Sequence, residues 1–203
     1  MLNCDYTANT IHEFFDNCCE VSDHISVVGK YPQDKLDSVL RCNTIGTAIT
    51  SDQWVQFFVP EIVDIPPQKP DIESVSSVHS CIEIISQRVI KTPTVTGYTN
   101  SLGVVIPGED ITNAECTKLT GRKLIIEGLL KQKVVYTAKV ESQAVHSASY
   151  SIPFSVFIII DKDTPTTQPF KIYPYIEDIF TCKLSERSVF KNTTVFIKAS
   201  KIC

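Results

Sequence analysis

The sequence lacks any segment in which Lys and Arg are clustered. Its 19 basic and 23 acidic residues are interspersed, and the formal net charge is −4. Because neutralising nucleic-acid phosphates takes clustered basic side chains, we expect no nucleic-acid partner. Long apolar runs are missing as well: the longest, Phe154 to Ile160, is far short of the ~20 residues that cross a bilayer. Residues 1–9 contain neither the basic nor the apolar region of a secretory signal. We therefore expect no membrane partner and synthesis without a signal peptide.

The usual signatures of catalysis and of metal binding are also missing. The sequence contains no GxSxG, HExxH, GxxxxGK or GxGxxG motif and no CxxC pair. Its four histidines are scattered, although a catalytic Cys–His pair would meet only in the fold. Cys18 and Cys19 lie near His24, but the ligands of structural zinc sites are spaced by two or more residues. We expect no enzyme activity, no catalytic residues, no cofactor and no metal.

Against these absences stand eight cysteines, a large number for a chain that stays in a reducing cytosol. One interpretation is a set of inert buried thiols, since free Cys packs like a small hydrophobic residue. The other is a protein that assembles inside a cell and is oxidised later. Eight cysteines allow about 105 complete pairings, so the sequence leaves the connectivity open.

Position along the chain divides the cysteines into three groups. Adjacent cysteines rarely bond to each other without strain, and cysteines beside the chain ends can reach a neighbouring subunit. The candidates for inter-subunit disulfides are therefore Cys4, Cys18, Cys19 and Cys203. Other disulfide candidates are Cys42 and Cys116. Cys81 and Cys182 lie in predicted strands, where a buried thiol and a disulfide are both reasonable interpretations.

Hydrophobic periodicity divides the chain into a cysteine-rich N-terminal extension, residues 1–52, and a β domain, residues 53–203. Two short helices are predicted in the extension. The first runs from Ile11 to Cys18, after Thr10 as its N-cap, and the second runs from Pro32 to Leu40, with proline at its first position. From Gln53 onward the period is two. It is clearest from Lys123 to Val140, where an apolar and a polar face alternate as in a half-buried strand. Gly128 in this stretch suggests a bulge or bend.

The remaining β domain follows the same pattern. Alternation from Tyr150 to Ile160 predicts a strand that Pro153 confines to a sheet edge or a break. Further strands are predicted at Cys81 to Ile90, Phe170 to Cys182 and Val189 to Ala199. Several strands without helical periodicity between them predict an antiparallel β-sandwich or barrel-like core. The segment from Gly97 to Leu119 has little periodicity, and long loops of this kind tend to be functional or to make contacts.

Several short motifs carry a family resemblance. They are Val59-Pro60-Glu61, Ile65 to Glu73, Leu119 to Gly128, Val145 to Ala148, Ile152 to Ser155, and Tyr175 to Ile179 followed by Arg187 and Phe190 to Asn192. Their order resembles that of the SPOCS domain, a module of clostridial spore-coat morphogenetic proteins and of stand-alone proteins in spore-forming Firmicutes. The resemblance covers roughly residues 53 to 200. It implies a structural or scaffolding role at the spore, with no catalytic residues to transfer. We expect a stand-alone member, without the LysM module that the morphogenetic proteins carry.

The motifs also have physical roles of their own. The prolines between Ile65 and Asp71 favour an extended strap after which Asp71 can cap a turn. Arg122, Lys123 and Glu127 can pair across strands, but a solvated face is the favoured interpretation.

Two functional hypotheses follow from the sequence and the resemblance. The leading one is a structural subunit of a self-assembling, disulfide-cross-linked polymer on the spore surface, in the coat, the exosporium or an appendage. Copies would contact each other by strand addition or by docking of the N-terminal arm, which would give a homo-oligomer or polymer. Other spore-coat proteins are further expected partners. Synthesis in the mother cell would need no signal peptide, and later lysis would expose the cysteines to oxidant. The alternative is a soluble scaffold or adaptor that binds another spore-coat protein or a glycan.

Overall fold

A computed structural model of the chain describes residues 6–7, 24–28, 53–112 and 117–202, with the backbone alone for the first two ranges. Ten strands lie within them. They are β1 (Tyr6–Thr7), β2 (His24–Val28), β3 (Gln53–Asp64), β4 (Ile72–Lys91), β5 (Tyr98–Thr99), β6 (Val105–Ile106), β7 (Arg122–Ala138), β8 (Val145–Ile159), β9 (Phe170–Lys183) and β10 (Ser188–Lys201). The described ranges contain one 3-10 turn, Gly108–Asp110, and no α-helix.

The strands form two large antiparallel sheets and one small one. Sheet A has the order β1-β4-β7-β8, sheet B has the order β2-β9-β10-β3, and β5 pairs with β6. Sheets A and B pack face to face around one core to which both contribute buried aliphatic and aromatic side chains. Because each sheet is open, the β-sandwich is the form that the structure takes, and the barrel-like alternative does not apply. No helix in the described residues is long and apolar enough to cross a membrane.

The strands predicted from period-two alternation are confirmed. The stretch predicted from Lys123 forms β7, with its even-numbered residues inward. Pro153 lies within β8, an edge strand of sheet A, as its missing N–H requires. Val140 was expected on the buried face, but β7 ends at Ala138 and Val140 is exposed. The two helices predicted in the extension lie outside the described residues, whereas β1 and β2 from the same extension join sheets A and B.

Gly128 lies on the core-facing side of β7, directly opposite Phe154 of β8. A Cβ there would lie 2.5 Å from Phe154 Cζ and 2.6 Å from the carbonyl oxygen of Glu83. The position therefore needs glycine for space. The predicted bulge is on the neighbouring strand, where Ile85 of β4 is the extra residue opposite Gly128 and Glu127.

We expect Gly128→Ala to lower the free energy of unfolding by about 1–3 kcal/mol, because the added methyl overpacks a site bounded by backbone and an aromatic ring. Urea unfolding of the purified protein measures the change. Ser151→Ala, at an exposed position of β8, is the control and should stay within about 0.5 kcal/mol of the wild type. Equal stability of Gly128→Ala and the wild type would contradict the packing argument.

A polar network joins the two sheets inside this apolar core. Lys191 of β10 is fully buried and pairs with Glu61 of β3, whose carboxylate oxygen lies 2.8 Å from the Lys191 ammonium. The ammonium also donates to Gln132 of β7 and lies 4.9 Å from the ring centroid of Tyr150. Gln132 in turn donates to Thr193 of sheet B at 2.8 Å and to Ser80 of sheet A at 3.1 Å. Burial lowers the pKa of Lys191, and the hydrogen bond with Glu61 opposes that shift.

Lys191→Met should cost about 3–5 kcal/mol of stability, because it leaves the Glu61 carboxylate buried without its cation. The double variant Lys191→Met/Glu61→Gln should recover at least half of that loss, since both charges are then gone. Urea unfolding of the two single variants and the double variant forms a double-mutant cycle. Additive effects of the two substitutions would show that the ion pair is not the reason for the loss.

Tyr150 adds a pH dependence to the same region. Burial raises the pKa of its hydroxyl to about 12 from an ordinary value of 10.0, and the hydroxyl donates to the carbonyl oxygen of Asp64 at 3.1 Å. Between pH 10 and 12 the unfolded chain releases this proton while the folded chain keeps it, so stability falls as pH rises through this window.

Tyr150→Phe should therefore flatten the loss of stability between pH 10 and 12, at a cost of about 1 kcal/mol at neutral pH for the lost hydrogen bond. Unfolding midpoints in urea, measured from pH 7 to 12, test this. Below pH 9 the difference between variant and wild type should be constant. A difference that stays constant up to pH 12 would contradict the role of Tyr150.

Arg187, in the turn between β9 and β10, holds the proline-rich strap that connects β3 to β4. Its guanidinium donates to the carbonyl oxygens of Ile65, Pro66 and Lys69 at 2.8–2.9 Å and to Asp71 Oδ1 at 2.8 Å. The backbone N–H of Ile65 donates to the Arg187 carbonyl oxygen at 2.7 Å. Asp71 therefore acts as the partner of Arg187. Two of the sequence motifs, distant along the chain, thus form one contact that closes an end of the sandwich.

Candidate functional site

β3 is apolar on both faces, although it is an edge strand of sheet B. Its odd-numbered residues point into the core. Its even-numbered side includes Trp54, Phe58 and Ile62, which are 52%, 67% and 64% exposed. A strand with two apolar faces is typical of a position that is covered on both sides. On the outward side of β3, the described residues leave large apolar side chains in contact with solvent.

The apolar row of β3 continues across sheet B. Trp54 stacks on Phe196 of β10 with ring centroids 5.6 Å apart, and Phe196 contacts Tyr175 of β9 at 6.2 Å. Farther along the strands, Ile62 pairs in register with Phe190, whose ring lies 6.1 Å from that of Phe180. We call this surface the outer aromatic face. It consists of Trp54, Phe58, Ile62, Tyr175, Phe180, Phe190 and Phe196.

The outer face of sheet A has the opposite character. Arg88 and Glu127 form a two-pronged ion pair with N–O distances of 2.8 and 2.9 Å, and Lys131 pairs with Glu83 at 2.6 Å. The hydrogen bond from Arg88 holds the pKa of the Glu127 carboxyl below its ordinary value. Glu127 thus pairs across strands with Arg88 on a face that is solvated, as the sequence favoured, while Lys123 lies over the Phe157 ring at 3.8 Å. Only the sheet B side presents a large aromatic surface within the described part of the chain.

A second apolar surface lies in the segment between β4 and β7, where the sequence predicted a long loop. β5 and β6 form a short hairpin there. The side-chain oxygen of Asn100 accepts hydrogen bonds from the N–H groups of Leu102 and Val104, and Gly103 adopts a positive φ of 76°, so the turn is preformed. Four exposed residues make up what we call the hairpin cluster: Tyr98, Leu102, Val104 and Val105.

The cysteines predicted as cross-linking sites fall mainly elsewhere. Cys4, Cys18, Cys19, Cys42, Cys116 and Cys203 lie outside the described residues. Cys182 is buried in β9, and Cys81 is half-buried in β4, opposite Lys131 of β7. The described residues contain no group of three or more His, Cys, Asp and Glu side chains arranged to hold a metal ion. For the six cysteines outside the described residues, the assignment to disulfides stays a prediction.

A comparison with protein families confirms the resemblance that the sequence motifs carry. A family model described as SipL, SPOCS domain, matches residues 71–184, more than half of the chain. The chain belongs to the SPOCS domain family. SPOCS membership indicates a spore-related role and spore association. No curated protein and no solved structure was found to match the chain.

Sequence reasoning missed both apolar surfaces of this SPOCS protein. The sequence did contain a signal for the outer aromatic face. From Gln53 to Asp64, the odd-numbered and the even-numbered positions are each rich in apolar side chains. The hairpin was hidden because its strands have two residues each, too short for a periodic pattern. Its turn residues, Asn100 and Gly103, were the usable signal.

Proposed function

We propose that the protein is a non-catalytic structural subunit of the spore surface whose copies associate through apolar surfaces and are then cross-linked by cysteines. The observation that carries the proposal is the outer aromatic face, which includes large side chains that are more than half exposed. Exposed apolar patches of this kind mark interaction sites in soluble proteins. Membership in the SPOCS family supports a spore setting for the assembly.

The occupant that fits this face is the hairpin cluster of a second copy. Both surfaces are apolar, both are exposed, and they occupy different parts of the chain. A contact between two different surfaces leaves one of each free at the ends of every oligomer, so growth continues into an open polymer. Pairing of identical surfaces would instead close a dimer.

Strand addition is a less favourable way to build this contact at the β3 and β8 edges. β3 and β8 are edge strands that pack against each other across the sandwich, where the rings of Phe57 and Phe154 lie 5.3 Å apart. Each contains a proline, Pro60 in β3 and Pro153 in β8. Since proline has no N–H to donate, an added strand loses a ladder hydrogen bond there. The proposal therefore assigns the contact to side chains of the outer aromatic face.

Two blocked variants test the heterologous contact. Phe58→Ser/Ile62→Ser removes the two most exposed side chains of the face, and Leu102→Ser/Val105→Ser removes the two most exposed side chains of the cluster. Each variant alone should therefore sediment as a monomer. Mixed in equal amounts, they should form one-to-one dimers, because each retains the surface that the other lacks. Sedimentation velocity and electron micrographs of the wild type and variants, in reductant, measure this.

Leu184→Ser, at an exposed apolar residue in the turn after β9, is the control and should polymerise like the wild type. A wild-type chain that is monomeric at high concentration would contradict assembly and favour the adaptor hypothesis. Polymerisation of either blocked variant alone would contradict the assigned surfaces. For the cysteines, gels run without reductant should show covalent ladders that collapse with reductant and weaken in Cys18→Ser/Cys19→Ser/Cys203→Ser.

A further inference from the structure

A groove opens at the end of the sandwich where β3 begins and β8 ends. Its larger part has a volume of about 1020 Å³ and is bounded by Trp54, the 3-10 turn and the loop after β8. A neighbouring cavity of about 520 Å³ shares Trp54, Thr117 and Ile159 with it, so the two form a continuous groove. Ligand sites commonly measure ~300–1,000 Å³, so the groove is large enough for an extended ligand.

Trp54 provides a fixed aromatic platform in this groove. It lines both cavities and is 52% exposed. Its stacking on Phe196, itself supported by Tyr175, holds the indole in place from the side of sheet B. The electron-rich face of an indole attracts the weakly positive C–H groups on one side of a pyranose ring. An exposed, supported tryptophan therefore suits a sugar.

Six of the seven charged side chains that line the groove form ion pairs. Lys118 pairs with Asp110 at 3.0 Å, Lys201 pairs with Asp161 at 3.0 Å, and Lys162 pairs with Glu109. With Asp163, the lining holds four acidic and three basic side chains, a difference of one charge. Paired carboxylates and ammonium groups keep further acceptor and donor positions for hydroxyl groups. A strongly charged ligand would have to compete with the existing ion pairs, whereas a neutral one would not.

Thr164 supplies an independent sign of a ligand. It lines the groove and is only 2% exposed, and its hydroxyl has no hydrogen-bond partner among the described residues. Its backbone carbonyl oxygen accepts from Arg122 Nε at 3.2 Å, which anchors the loop to the start of β7. A buried hydroxyl without a partner costs folding free energy and is rare in native proteins. A hydroxyl-bearing ligand in the groove can satisfy it.

We propose that this groove binds a neutral oligosaccharide, with Trp54 as the stacking platform and Thr164 and the paired charged side chains as hydrogen-bonding groups. The site shares Trp54 with the outer aromatic face, but its lining contains none of Phe58, Ile62, Leu102 or Val105. The assembly-blocked variant Phe58→Ser/Ile62→Ser thus keeps the whole groove as a soluble monomer.

Trp54 is the sole tryptophan of the chain, so its emission reports directly on the groove. We expect saturable changes in tryptophan emission when the assembly-blocked variant is titrated with chitotetraose, cellotetraose or maltotetraose. At least one of the three should bind with a dissociation constant of about 0.1–1 mM, a typical range for a shallow site. The full chain is used throughout, in reductant.

Variants separate binding from folding. Calorimetric titration in the Leu102→Ser/Val105→Ser background, where Phe58 is intact, should find that Trp54→Ala weakens the affinity at least ten-fold. Phe58→Ala lies on the same side of the same strand but outside the groove, so it should leave the affinity within two-fold of that background. Thr164→Val removes an unpartnered hydroxyl at nearly constant volume. It should lower the affinity at least three-fold while leaving the unfolding midpoint in urea unchanged or higher.

Three results would overturn the proposal. The first is the absence of saturable binding for all three sugars. The second is undiminished affinity in Trp54→Ala. The third is an emission change caused by an acidic or basic peptide and by none of the sugars, which would assign the groove to a protein partner. Each of these outcomes is independent of whether the wild-type chain polymerises.

Discussion

The ion pair between Lys191 and Glu61 determines which side of sheet B faces the core and which side faces outward. A charge buried between sheets is tolerated only when its partners are in place, and here they come from both sheets through Gln132. A slip of one residue between β3 and β10 would turn Glu61 outward and leave Lys191 buried alone. The register is therefore fixed at Glu61. Because side chains alternate along a strand, Trp54, Phe58 and Ile62 must then face outward. The exposure of the aromatic row follows from the charge in the core.

The sequence predicted the elements whose pattern depends on burial alone. β7 and β8 alternate cleanly because one side of each packs in the core, and Pro153 marks an edge because proline lacks a donor. The polar network was not predictable, since Lys191 and Gln132 have the polarity of surface residues and only tertiary packing places them inside. The outer aromatic face was not predicted for the converse reason. Alternation cannot tell a covered face from an exposed one when both are apolar.

The SPOCS match covers the hairpin cluster and most of the groove, but it leaves out β3 and its part of the outer aromatic face. The matched range, residues 71–184, begins after β3 and includes Asp71 of the strap. Asp71 and Arg187 close one end of the sandwich, so these motif residues act on the framework. The opposite end carries Trp54, the 3-10 turn and Thr164, which border the groove. The matched range thus contains framework residues and candidate surface residues alike, whereas Trp54, Phe58 and Ile62 of β3 lie outside it.

The order of assembly follows from the physical character of the two kinds of contact. In the proposed polymer, apolar contacts between copies would form and dissociate reversibly. They would select one geometry because the outer aromatic face and the hairpin cluster are both preformed. Disulfide formation depends on proximity, so a thiol near a docked neighbour reacts at a much higher effective concentration than a free one. Side-chain docking would therefore come first and decide which cysteines meet. Oxidation would then remove dissociation without having to provide specificity. In this sequence of steps the cysteines would need no precise positions of their own.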